Sequence, residues 1–171
     1  MLELEGKTAL VFGVASEDSI AWAICQRLAE AGCRLILGFQ PRYRSRIFQL
    51  KDQLNAIEAF YPCDVASDEQ TKEFFDEWQK ESPGAKADIL VHAIGFAPRD
   101  TFDRHMLFNE MDSIDLAMRV SAHSLQRLMR HSVPYLNPDS STITLTYAAS
   151  TRYVPNYGIM SVAKAALESW V

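Results

Sequence analysis

Apolar residues along this chain fall into two kinds of run. Short, near-continuous blocks alternate with longer stretches in which apolar positions recur at helical spacing. "TALVFG" (8–13), "RLILGF" (34–39), "IEAFYPCDV" (57–65), "ADILVHAIG" (87–95) and "STITLTY" (141–147) read as five strands. Between them lie helical patterns: "SIAWAICQRLAEAG" from Ser19 to Gly32, a basic amphipathic segment over 42–55, and "SDEQTKEFFDEWQKES" over 67–82. A fourth runs from Asp112 to His131 and is ended by Pro134, and a last one begins near Asn156. Ser67 followed by Gln70 matches a capping box. The packing face of the last helix is expected at Ile159, Val162, Ala163, Ala166 and Trp170.

Strands that alternate with helices require right-handed crossovers, and near-continuous apolar strands are those of a parallel sheet covered on both faces. The pattern predicts an α/β fold, a Rossmann-like doubly wound sheet in the order 3-2-1-4-5. Residues 1–171 read as a single dinucleotide-binding domain, with no repeat, linker or low-complexity tract. Ligands of such sheets bind beyond the carboxyl ends of the strands, so candidate chemistry is sought just after each apolar block.

Composition changes this picture little. The chain has 171 residues, 48% hydrophobic and 23% charged, as expected of an ordinary globular domain. A net charge of -5 argues against nucleic acid or an anionic membrane surface as partner. No apolar run approaches the ~20 residues of a membrane span. "MLELEGKTALVFG" carries acids and no signal-peptide pattern. Cys25, Cys33 and Cys63 form no close pair, which fits reduced thiols in a cytoplasmic protein. The four histidines show no metal-ligand spacing, so no metal is expected. His92, inside an apolar strand, reads as a hydrogen-bonded core residue rather than a base.

The residues after each strand admit a ligand reading and a plainer one. Gly13 can make the tight turn of a phosphate loop, and Ser19 can cap the next helix and donate to a phosphate, with Ile20 opening that helix. G-x-G-x-x-G itself is absent, so a simple capped helix fits as well. After the second strand, Gln40 stands where an acid usually grips a ribose. Arg42, Arg44 and Arg46 are either a solvated basic face or partners for a 2′-phosphate; the first reading favours NADH, the second leaves NADPH possible. Asp64 can accept from an adenine amino group and the Val65 amide can donate, unless Asp64 merely caps a helix. Ala93 and Gly95 are small enough for a nicotinamide ribose to approach, while Phe96, Ala97 and Pro98 follow as a candidate substrate wall. Tyr157 and Lys164 are seven residues apart, close to two turns of about 3.6 residues, so a continuous helix would set phenol and ammonium on one face.

Taken together, "GVASEDSI" (13–20), "CDV" (63–65), "HAIGFAP" (92–98), Tyr147 and "VPNYGIMSVAKAALE" (154–168) resemble the short-chain dehydrogenase/reductase superfamily. Within it they are most similar to the NADH-dependent enoyl-[acyl-carrier-protein] reductases of fatty-acid synthesis. Carbonyl-reducing members place the lysine one helical turn after the tyrosine, with a serine upstream. Here the interval is two turns, Thr144 holds the upstream position, Ser161 follows the tyrosine, and Tyr147 precedes it. The resemblance implies NADH as cofactor, and an enoyl thioester on acyl-carrier protein as substrate. It implies Tyr157, Lys164 and Tyr147 as catalytic residues. Gly13, Ser19, Ile20, Gln40, Asp64, Val65, Gly95 and Lys164 would contact cofactor, and Tyr147 and Tyr157 would face substrate. It implies a homotetramer for the full-length family, and a chain that is C-terminally incomplete, lacking the family's last strand and substrate-loop region. The alternatives are a short-chain reductase acting on a carbonyl through Thr144, Ser150 or Tyr153, and a non-catalytic nucleotide-binding fragment.

Overall fold

The computed structural model describes residues 4–171. Five strands form one parallel sheet: β1 (Thr8–Phe12), β2 (Arg34–Phe39), β3 (Ile57–Pro62), β4 (Ala87–His92) and β5 (Leu136–Thr144), in the order β3-β2-β1-β4-β5. The helices are α1 (Ile20–Glu30), α2 (Arg44–Lys51), α3 (Asp68–Glu81), α4 (Asp100–Asp103), α5 (Met111–Ser121), α6 (His123–Ser132) and α7 (Ile159–Glu168). The chain forms two compact units, one of residues up to Ala93 with His131–Thr144, the other of Ile94–Arg130 with Leu145–Val171.

The first unit contains the whole sheet. Strand side chains alternate between its faces. Ala9 and Val11 join Leu35, Leu37 and Val91 in a core against Ala21, Trp22 and Cys25 of α1 and Ile47 and Leu50 of α2. Phe12 faces the other way, onto Phe74 of α3 with ring centroids 4.8 Å apart. Helices therefore cover both faces, and the strand order predicted from the alternation is the one observed.

Two helix starts follow the expected chemistry. Ser19 Oγ accepts from Trp22 N–H and Ser67 Oγ from Gln70 N–H, both at 3.2 Å. The capping box is only half formed, because Gln70 Oε1 accepts from Asp64 N–H at 3.0 Å rather than from Ser67 N–H. The expected helix over 42–55 shrinks to α2, preceded by a 3-10 turn over Pro41–Tyr43. Strand β5 begins five residues earlier than expected. Ala87 pairs with Leu136 and Ile89 with Ser141, so the residues between them bulge from the ladder. Pro138 lies in that bulge on an edge strand, where its missing donor costs nothing.

The second unit has a small core of Ala122, Leu125 and Leu167, with Met118, Met129 and Ala166 against it. The single helix expected over 112–131 is interrupted at the fully buried Ala122, whose φ and ψ are -122° and -62°. Ser124 Oγ donates to Val120 carbonyl at 2.6 Å, a back-bond that bends helices. The last helix departs most from expectation. It starts at Ile159, not near Asn156, and its buried face is Ile159, Met160, Ala163, Lys164 and Leu167. Val162 and Trp170, assigned to that face from spacing, are exposed.

Candidate functional site

Each residue singled out in the first unit lies at or just past the carboxyl end of a strand. Gly13 follows β1 with φ +114°, and a Cβ there would overlap the Ala93 carbonyl. Ala93 itself donates its N–H to Phe12 carbonyl at 2.9 Å, drawing the two strand ends together. Both the backbone angle and the space demand glycine. Gly13→Ala is expected to destabilise the protein by about 1–3 kcal/mol, as overpacking does, read as a lower denaturant midpoint.

Ser19 caps α1, but its hydroxyl hydrogen is already directed to Ser16 carbonyl at 2.7 Å. Ile20 opens the helix and is exposed; the first amides of any helix lack intrahelical acceptors. Gln40 follows β2, and its Oε1 is buried without a hydrogen-bond partner. An orphaned buried acceptor is costly unless something donates to it. Arg42 and Arg44 sit 4.8 and 5.6 Å from the ring centroids of Tyr43 and Phe48. Asp64 follows β3; its Oδ1 accepts from Ala66 N–H at 3.0 Å and its N–H is taken by Gln70. Val65 is buried beside it in sequence. His92, at the end of β4, is fully buried with Nδ1 2.8 Å from Thr144 Oγ1, a core residue as expected. Burial pushes the Cys25 thiol up to about 12, so it is an inert packing group. Among the described residues, no cluster of His, Cys, Asp or Glu could hold a metal ion.

In the second unit, Lys164 is buried on α7, and desolvation holds its ammonium below the usual lysine range. Its Nζ donates to Leu145 carbonyl at 2.8 Å and to Ile94 carbonyl at 3.2 Å. An ammonium carries three donors, so one remains. A Cβ on the exposed Gly95 would stand 3.5 Å from that nitrogen, so glycine keeps the approach to it open. Tyr147 lies beyond β5 in extended backbone, ahead of the 3-10 turn Ala148–Ser150. Its ring centroid is 4.8 Å from that of Tyr157, tilted by 50°. Desolvation, and then Tyr147, raise the Tyr157 pKa, so the phenol stays a donor across the neutral range.

Tyr157 is not on the helix. Asn156 has φ +63° and Gly158 φ +51°, so the tyrosine sits between two left-handed residues, ahead of α7. The shared helical face inferred from a seven-residue interval is thus incorrect: a turn, not two turns of helix, sets the phenol. Asparagine and glycine are the residues that tolerate this backbone, and "NYG" is the signal that the helical reading passed over.

Phe96 and Ala97 are half-buried. The main chain of Phe96 is gripped by a residue that sequence reasoning missed. Ser121, fully buried on α5, accepts from Phe96 N–H at 2.8 Å and donates to Phe96 carbonyl at 2.7 Å. No local pattern marks it, because its partners are 25 residues away. Ser121→Ala removes both of these bonds to the Phe96 main chain. It is expected to cost about 1–3 kcal/mol, measurable by chemical denaturation.

A parallel sheet in the order 3-2-1-4-5, with a glycine turn after β1 and a buried lysine on the helix after β5, defines a Rossmann-like protein of the short-chain dehydrogenase/reductase type. The family model "Enoyl-(Acyl carrier protein) reductase" matches residues 13–171. The chain is 37% identical over 175 aligned residues to the enoyl-[acyl-carrier-protein] reductase [NADH] of Nostoc sp., covering all of this chain and 67% of that protein. It is 36% identical to the enzyme of the same name from Enterococcus faecalis, covering 98% of this chain and 66% of that protein. A crystal structure of the Bacillus cereus enoyl-acyl carrier protein reductase with NADP+ and an indole naphthyridinone superposes with a TM-score of 0.93 at 36% identity, over 100% of this chain and 66% of that one. The chain belongs to the enoyl-(acyl carrier protein) reductase family. It spans about two thirds of the length of these relatives.

Proposed function

We propose that this chain carries the cofactor-binding and catalytic residues for NADH-dependent reduction of trans-2-enoyl thioesters on acyl-carrier protein, a step of fatty-acid synthesis. The observation that carries this reading is the Tyr147–Tyr157 phenol pair in the unit that also holds the buried Lys164, in a chain matched by the family from residue 13 to 171.

The residues present fit a dinucleotide. Gln40 offers an unpartnered buried acceptor suited to ribose hydroxyls, Gly13 presents backbone without a side chain, and Lys164 keeps one donor for a ribose hydroxyl. Asp64 and the Val65 amide suit an adenine edge, Ser19 and Ile20 open a helix whose N-terminus favours the pyrophosphate, and Ala93 and Gly95 leave room for the nicotinamide ribose. The chemistry required from the bound cofactor is a hydride, delivered to C3 of the enoyl chain. Charge would then build on the thioester oxygen, and a proton taken up at C2 would complete the saturated acyl thioester. The Tyr157 hydroxyl donates to that oxygen as an oxyanion-hole group. Lys164 adds positive charge and fixes the ring it binds. Tyr147, Phe96 and Ala97 line the acyl chain.

In this reading residues 1–171 work as one dinucleotide-binding domain. NADH is the cofactor, as it is in the names of the relatives from Nostoc sp. and Enterococcus faecalis. The assembly is a homo-oligomer, a tetramer in the full-length family, in the cytoplasm. Among the described residues no helix is long and apolar enough to cross a membrane. Carbonyl reduction through Thr144 is disfavoured, since that hydroxyl is bound to His92. The test is NADH oxidation with crotonoyl and 3-oxoacyl thioesters side by side. Consumption of the enoyl thioester alone is expected; consumption of the 3-oxoacyl thioester instead would overturn the assignment.

A further inference from the structure

Glu168, the last residue of α7, carries a carboxylate that none of the roles above uses. Its own helix disfavours it. The C-terminal turn of a helix bears partial negative charge and favours cations, yet α7 ends on an acid with no basic residue in its last turn. What offsets that cost lies outside the helix.

Two hydroxyls supply the offset. Thr146 Oγ1 donates to Glu168 Oε1, and the Ser150 side chain donates to the same carboxylate. These bonds, that of Ser150 first, hold the Glu168 carboxyl below the usual carboxylate range, so it is an ionised acceptor at neutral pH. Hydrogen bonds to an ionised acceptor are about twice as strong as neutral ones. One turn earlier on the same helix, Lys164 Nζ donates to the Leu145 carbonyl at 2.8 Å. Helical residues four apart project to one side. α7 therefore grips the chain leaving β5 at Leu145, Thr146 and Ser150, and Tyr147 lies inside that span.

The grip bears on where the Tyr147 ring points. Thr146, Tyr147 and Ala148 are exposed, so packing constrains them weakly. Ser150 N–H donates to the Tyr147 carbonyl at 2.9 Å, which closes the turn without fixing its direction. Buried Ala149 anchors one point of it. The bonds to Glu168 fix two more, on either side of the tyrosine whose ring meets Tyr157.

We propose that Glu168 is a positioning residue for the reduction: through Thr146 and Ser150 it aims Tyr147 at Tyr157. The inference rests on the reductase reading, in which these two phenols face the thioester.

Glu168→Ala is expected to lower kcat for an enoyl thioester by about tenfold, within the ~10²-fold that a misplacement of about 1 Å can cost. The KM for NADH should change little. Glu168→Gln keeps an amide oxygen at the same reach and is expected to recover most of the loss. Thr146→Val, close in shape but without the donor, is expected to act in the same direction and to add little in the Glu168→Ala background. A second readout needs no turnover. In the full chain labelled with fluorotyrosine, the Tyr147 fluorine resonance is identified by its loss in Tyr147→Phe. It is expected to move toward that of free fluorotyrosine in Glu168→Ala and to stay in place in Glu168→Gln. An unmoved resonance in Glu168→Ala, or no recovery in Glu168→Gln, overturns the proposal. Parental turnover of enoyl thioesters by Glu168→Ala removes this inference and leaves the reductase reading standing. A displaced Tyr147 resonance, in a chain whose parent turns over no enoyl thioester, leaves the grip on Tyr147 standing and removes the reductase reading.

Discussion

Tyr157→Phe is expected to lower kcat for an enoyl thioester by about 10²–10³-fold, the usual effect of deleting one oxyanion donor. Cofactor affinity should change little, since the substitution keeps the ring and its contact with Tyr147 at 4.8 Å. The physical basis is that the phenol is protonated. Burial and the neighbouring Tyr147 both raise its pKa, so it donates rather than accepts at neutral pH. Because only the hydroxyl is lost, folding should be nearly unaltered, and a denaturation curve beside the kinetics separates the two effects. Undiminished turnover would remove Tyr157 from the reaction.

Lys164→Met is expected to weaken NADH binding by tenfold or more and to depress turnover with it. It removes the charge and three donors while conserving much of the side-chain volume. Two carbonyls, of Ile94 and Leu145, lose their donor, and a stability loss of about 1–3 kcal/mol per unpaired buried group bounds the cost. The same residue predicts a pH dependence. Desolvation lowers its folded-state pKa below the ordinary 10.5. Between that lowered value and 10.5 the unfolded chain binds more protons than the folded one, so stability rises with pH across this window. Below it both states hold the proton and the burial penalty is present in full. Denaturant midpoints measured from neutral to alkaline pH should climb in the parent relative to Lys164→Met. Parallel curves would show that the ammonium is not desolvated.

Both predictions depend on two features that the sequence exposed unequally. "YGIMSVAK" and its resemblance to the family suggest a joint role for Tyr157 and Lys164, but not how each is held. The seven-residue interval suggested a helical stripe, yet left-handed backbone at Asn156 and Gly158 ends the helix before Tyr157. Turn chemistry at two residues overrode a periodicity supported by the next ten. Lys164, set apart from the packing face by spacing, lies within it, because two main-chain carbonyls satisfy its charge there.

The alternation of apolar blocks and helical stretches determined the strand order, the two-faced core of the sheet, and the capping roles of Ser19 and Ser67. Those features depend on nearest-neighbour chemistry and on periods of two and 3.6, which a sequence displays directly. Other features were decided only by the tertiary structure. Ser121 reaches Phe96 across 25 residues, Gly13 meets Ala93 at the end of another strand, and Gln40 keeps a buried acceptor unpartnered. In the first two cases the decisive neighbour is remote in the chain, and no local pattern encodes a contact whose partner is supplied by folding.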